Sequence, residues 1–183
     1  MDEKRGPGTR KPIAVIMGVS GCGKTFVGER LAKAIGVPFI EGDKFHPPEN
    51  IALMSSGKPL DDAHRAGWLD AIGRKLAEMA EEGDGAATAC SALKRIYRDR
   101  LRRHCPDVVF LHLSIDKETA RGRVSGRKGH FMPASLIDSQ FADLQPLEPD
   151  EAGITLDGTE DVSRLVAAAR EFLEREAHGR ARA

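Results

Sequence analysis

Gly18, Gly23, Lys24 and Thr25 stand in the order G-x-x-x-x-G-K-[ST] within MGVSGCGKT (17–25), directly after an apolar run. Glycines at these positions let the backbone curl so that the N–H groups of Val19, Ser20, Gly21 and Cys22 turn inward as anion ligands. A helix starting near Lys24 adds the positive end of its dipole, Lys24 reaches the β- and γ-phosphates, and the Thr25 hydroxyl can ligate Mg²⁺ directly. The chemistry this predicts is the holding of a nucleoside triphosphate. Cys22, among inward N–H groups and beside Lys24, is expected to react with thiol-alkylating reagents.

Other residues narrow the class. A GTPase needs N-K-x-D to read guanine, and the single asparagine, Asn50, follows Pro and Glu. A motor or switch ATPase places an aspartate at the end of a later strand, whereas the third apolar run ends in Cys90-Ser91-Ala92. The second run ends in Glu41-Gly42-Asp43. With this strand next to the first, Asp43 would project beside the loop, where it could bind the metal through water and accept a proton from an attacking hydroxyl. Lys94 and Arg98, four apart, would share a helix face near its start, and Arg123 and Arg127 repeat that spacing before Lys128-Gly129-His130. Arginines flanking such a turn can fold over a triphosphate as a lid. Arg100, Arg102 and Arg103 read as a solvated face.

The elements that must position these groups alternate. Strands are predicted at 12–19, 37–43, 85–92, 108–115 and 153–159, and helices at 24–35, 61–82, 94–104, 116–127, 133–145 and 161–177. This is the pattern of a parallel sheet covered on both faces. Asp61 or Asp62, Asp116 and Asp161 are suited to cap helices. The stretch 47–60 reads as an insertion above the carboxyl ends of the strands, where α/β proteins bind ligands.

The 183 residues suffice for one core. We expect a single domain over 12–177 with an acceptor-binding insertion at 44–60 and a lid around 123–135, a disordered stretch at 1–11 and a frayed tail at 178–183. The 28 basic and 28 acidic residues cancel, so no long-range positive field is available for nucleic acid or an anionic membrane. Three cysteines without a C-x-x-C pair suggest neither disulfides nor structural zinc. No apolar run is long enough to span a bilayer, and a cytoplasmic location is expected.

Together MGVSGCGKT (17–25), GDKFHPPENIALMSSGKPLDD (42–62), the R-x-x-W of Arg65 to Trp68, CSALKRIYRDRLR (90–102), RKGHF (127–131) and QFADLQ (140–145) closely resemble the gluconate kinases, small P-loop kinases related to shikimate kinase and the nucleoside monophosphate kinases. The resemblance implies a three-layer α/β fold with a five-stranded parallel sheet and a helical lid, ATP and Mg²⁺ as cofactors, phosphorylation of D-gluconate at its 6-hydroxyl, and a cytoplasmic homodimer. The residues' chemistry assigns Lys24, Asp43 and Arg127 to catalysis, with Arg123 and Arg127 also on the nucleotide. A sugar acid needs one or two cations and several hydrogen-bond partners, which Asp43, His46, Arg65, Lys94, Arg98 and His130 could supply. A nucleoside monophosphate would instead need a base-sized slot, with Trp68 and Phe45 as its walls; near-helical spacing with Leu69, Ile72 and Leu76 favours Trp68 as packing.

Overall fold

The computed structural model describes residues 10–126 and 134–180, with the side chains of Ala134 and Arg180 outside the described set. Five strands, β1 (Ile13–Met17), β2 (Phe39–Glu41), β3 (Ala86–Ala89), β4 (Val109–Ser114) and β5 (Gly153–Asp157), form one sheet. Its order is β2-β3-β1-β4-β5, and every pairing is parallel. Parallel strands need covered crossovers, which buries both faces of the central strands. All of β1 is accordingly buried. Its Ala14 and Ile16 join one core, and its Ile13, Val15 and Met17 join the other.

The first core lies under α1 (Lys24–Ile35), α5 (Lys117–Ser125), α6 (Ala134–Asp143) and α7 (Val162–Arg180). The second lies under α3 (Asp62–Glu81) and α4 (Arg95–His104), around the fully buried Trp68, Leu76, Leu101 and Phe110. Three aspartates cap as their chemistry allows: Asp61 accepts from His64 N, Asp116 from Thr119 N and Asp161 from Ser163 N.

Two expectations are corrected. β2 does not neighbour β1, because β3 lies between them. Within the 47–60 insertion Pro48 starts a short helix, α2 (Pro48–Ser55), since a proline's missing N–H costs nothing in a first turn. At the carboxyl end of the chain, α7 continues through Arg180, past the expected end at 177.

Candidate active site

The loop after β1 is shaped by glycines where nothing else fits. Gly18 has φ 138°, and a Cβ there would come within 2.7 Å of Leu113 O and 2.8 Å of Cys22 Sγ; Gly21 and Gly23 also have positive φ. The start of α1 carries no side-chain cap, so its N–H groups face the loop. Lys24 Nζ lies over the loop, donating to Gly18 O and Val19 O at 3.0 Å each. No carboxylate among the described residues lies within ion-pair distance of it. Cys22 is 1% exposed, and its N–H donates to Val19 O at 3.3 Å, so burial opposes the expected alkylation. Cys90 is equally buried, and burial pushes its thiol up to about 12.

The carboxylate on the Thr25 hydroxyl is Glu41, not the expected Asp43. Thr25 Oγ1 donates to Glu41 Oε2 at 2.7 Å. Asp43 sits two residues on, in a 3-10 turn (Gly42–Phe45) whose first N–H groups Glu41 helps to cap. This turn can press onto β3 only through glycine, since a Cβ on Gly42 would lie 2.2 Å from Ala89 O. The G-D pair thus holds Asp43 beyond the carboxyl end of β2, next to β3, with its carboxylate 82% exposed.

His46 is almost fully buried at the end of this turn. Its ring stacks on Trp68 with centroids 4.1 Å apart, and Trp68 Nε1 donates to Gly42 O at 2.8 Å. Trp68 is 1% exposed, so it packs and braces, and forms no slot for a base. Asn50 Nδ2 lies 3.3 Å from His46 Nδ1 and donates to His64 O at 2.9 Å. Both bonds are met when Nδ1 accepts, which puts the imidazole proton on Nε2. Nε2 lies 4.0 Å from Asp43 Oδ1. Burial, with Arg65 nearby, lowers the His46 pKa to about 4, so it serves as a neutral donor. Asn50 is a second residue the sequence reading used only to exclude GTPases; its i+4 spacing from His46 was the available signal.

The cations divide sharply. Arg65 is buried at 9% exposure, donates through Nε to Leu60 O at 3.2 Å, and lies 5.6 Å from the Tyr97 ring centre. Among the described residues no carboxylate pairs with it. Lys24, Arg65 and Asp43 all act electrostatically on the Cys90 thiol, which directly follows β3. Lys94 is half-buried and held by Asp62 at 2.8 Å and Asp143 at 3.4 Å, with Tyr97 also on Asp62.

Arg98 does not belong with them. It is fully buried; its Nε and Nη2 bind the equally buried Glu151 at 2.7 Å each, and its other N–H groups meet the carbonyls of Ala92, Leu93, Gln145 and Pro146. No donor is left for a substrate. Lys94 is the residue before α4 and Arg98 lies one turn inside it, so they do not share a face as the spacing suggested. What Arg98 does is fix the turn that carries Lys94, in which Ala92 holds a left-handed φ of 43°. Arg100 and Arg102, expected to be solvated, are in fact paired with Asp70 and Glu151.

Arg123 at the end of α5 donates to Gly21 O at 3.4 Å and Gly158 O at 3.0 Å, behind the loop. Arg127 and His130, with the core of the expected lid, lie outside the described residues. Gln140 of α6, quoted in QFADLQ but given no role, reaches the loop: Ser20 N donates to its Oε1 at 2.6 Å.

Comparison with known proteins agrees with this architecture. The shikimate kinase family profile matches residues 20–143. The gluconokinase of Gluconobacter oxydans is 45% identical over 82% of this chain and 85% of its own. Among solved structures, a sugar kinase from Janibacter superposes with a TM-score of 0.85 at 47% identity, covering 90% of this chain and 95% of that one. A gluconokinase from Sinorhizobium meliloti superposes at 0.84 with 42% identity, covering 93% and 95%. With its phosphate loop, five-stranded parallel sheet and near-complete alignment to these proteins, the chain belongs to the gluconokinase family of shikimate-kinase-like P-loop kinases.

Proposed function

We propose that this protein phosphorylates D-gluconate at its 6-hydroxyl, using ATP and giving 6-phospho-D-gluconate and ADP. The observation that carries the acceptor assignment is Arg65: a buried guanidinium with no carboxylate partner among the described residues, on the same cleft as Lys24, Asp43 and His46. Asp62 acts on Arg65 without contacting it and is already bonded to Lys94 and Tyr97, so the buried guanidinium gains by meeting an anion directly, and a sugar acid brings one carboxylate on a chain of hydroxyls.

Thr25 and Glu41 suit Mg²⁺, a hard cation that takes oxygen ligands and retains water. Thr25 would ligate it directly, and Glu41 and Asp43 through water. Bound MgATP supplies the phosphoryl group for in-line transfer. Lys24 leaves its two carbonyls to neutralise phosphoryl oxygens, and the loop N–H groups from Val19 to Thr25 fix the chain of phosphates. Asp43 orients the attacking hydroxyl and takes its proton. His46 donates through Nε2 to an acceptor oxygen, Arg65 receives the carboxylate, and Lys94 a neighbouring hydroxyl. Arg123, Arg127 and His130 are assigned to the proposed lid over 123–135, and the insertion 44–60 to acceptor binding. A cytoplasmic homodimer completes the proposal; among the described residues no helix is long and apolar enough to cross a membrane.

The test is acceptor discrimination in a coupled ADP assay. Replacing the carboxylate by an aldehyde or alcohol removes a charge-assisted bond, so gluconate should exceed glucose and sorbitol by about ten- to a hundredfold in kcat/KM. Comparable rates would overturn the sugar acid assignment, and preferential use of a nucleoside monophosphate would move the protein to that class of kinase.

A further inference from the structure

Gln140 lies outside the loop, and its side-chain amide engages Ser20 from both sides. Ser20 N donates to Gln140 Oε1 at 2.6 Å, and Gln140 Nε2 donates to Ser20 Oγ at 3.0 Å. The two bonds fix the amide's orientation, since only an oxygen can receive the N–H. An acceptor oxygen therefore sits on an N–H of the sequence built to receive phosphate oxygens. Both partners are only half-buried, so neither needs the other to avoid an unmet polar group.

Building on the nucleotide reading of this loop, we propose that Gln140 is a positioning residue that stands in for a phosphate oxygen: its Oε1 holds the Ser20 N–H inward before nucleotide arrives and gives way to the triphosphate. The helix that carries it is anchored on both sides of the glutamine. Leu136 and Ile137 are buried in the core, while Asp143 meets Lys94 and the following Gln145 accepts from Arg95 N at 2.6 Å. Gln140 consequently leaves by rotating its own side chain, with α6 in place. The cost of displacing it is subtracted from nucleotide affinity, in return for a loop already shaped in the empty enzyme.

Titration calorimetry with MgAMP-PNP on the full chain tests this, with thermal melts to verify folding. Gln140→Ala removes the competing oxygen and should tighten binding about three- to tenfold, the worth of one ordinary hydrogen bond. Gln140→Glu keeps an acceptor on Ser20 N and adds a negative charge, so it should weaken binding in the opposite direction. Weaker binding in both variants would make Gln140 a phosphate ligand and overturn the proposal, as would unchanged affinity in Gln140→Ala. Failure of the unmodified protein to bind MgAMP-PNP would instead overturn the nucleotide reading itself.

Discussion

The phosphate loop and the head of α4 both concentrate positive charge, and they treat it in opposite ways. Lys24 is parked on two backbone carbonyls, and Arg65, across the cleft, on a third. A neutral carbonyl satisfies an N–H without cancelling the charge, so these cations remain free to meet an anion. Around α4 four arginines meet carboxylates: Arg95 with Asp99, Glu148 and Asp150, Arg98 and Arg102 with Glu151, Arg100 with Asp70. Their charge is spent on holding helix to sheet. Lys94 stands between the regimes, paired yet partly exposed. Position near a motif therefore says less about binding than the identity of the atom each cation rests on.

The largest expected effect breaks the second region. Arg98→Ala strips the buried Glu151 of its two-bonded partner, leaving it only Arg102 and the Glu148 N–H, and releases the Ala92 turn, so stability should fall by about 3 kcal/mol in urea unfolding. Arg65→Ala should cost far less stability and instead lower kcat/KM for gluconate about ten- to a hundredfold. If the two variants behaved alike, the division between spent and available cations would be wrong.

Next in size is Lys24→Ala. Losing a cation aimed at developing phosphoryl charge should slow turnover about 10²- to 10³-fold, while the melting temperature barely moves, because among the described residues Lys24 bonds only to loop carbonyls. A folded variant with near-normal turnover would sink the loop assignment. Asp43→Asn sharpens the same site: kcat should fall much more than nucleotide affinity, as expected of a group acting in the transition state. Equal losses in both would make Asp43 a binding residue.

A smaller effect appears in pH. His46 and His112 are both depressed to about 4 by burial, with the charges of Arg65 and Arg98 respectively adding to it. Between pH 6.5 and 4 the unfolded chain binds protons that the folded one refuses, so stability rises with pH through this window and is lost as pH falls through it. Burial pushes the Glu151 carboxyl up, but the bonds from Arg98, the Glu148 N–H and Arg102 together outweigh this and hold it down to about 2. Its contribution is present above about 4.5 and is lost on acidification below that. His46→Gln should remove roughly half of the histidine slope between pH 6.5 and 4.5 in unfolding free energy. An unchanged slope would mean His46 is protonated in the folded state.

The smallest concerns the sheet. Thr88 Oγ1 is a buried hydroxyl with no hydrogen-bond partner among the described residues. Thr88→Val keeps the shape without the unmet hydroxyl and should stabilise the fold by about 1 kcal/mol. A destabilised variant would point to a partner for that hydroxyl.

The sequence by itself determined the alternation of elements and the loop. Strand and helix periods, glycine spacing and capping aspartates are local signals, and α1 begins at Lys24 as the motif requires. A loop binds through its own backbone, so its residues are contiguous and legible. Tertiary structure decided the order of the strands, which put β3 between β1 and β2 and made Glu41 the partner of Thr25. It also decided which of several similar arginines was available. Arg65 and Arg98 are the same residue on adjacent helices, and only the carboxylate brought 53 residues along the chain to Arg98 separates their roles. Charge pairing is set by what meets in space, a quantity that spacing along one helix does not contain.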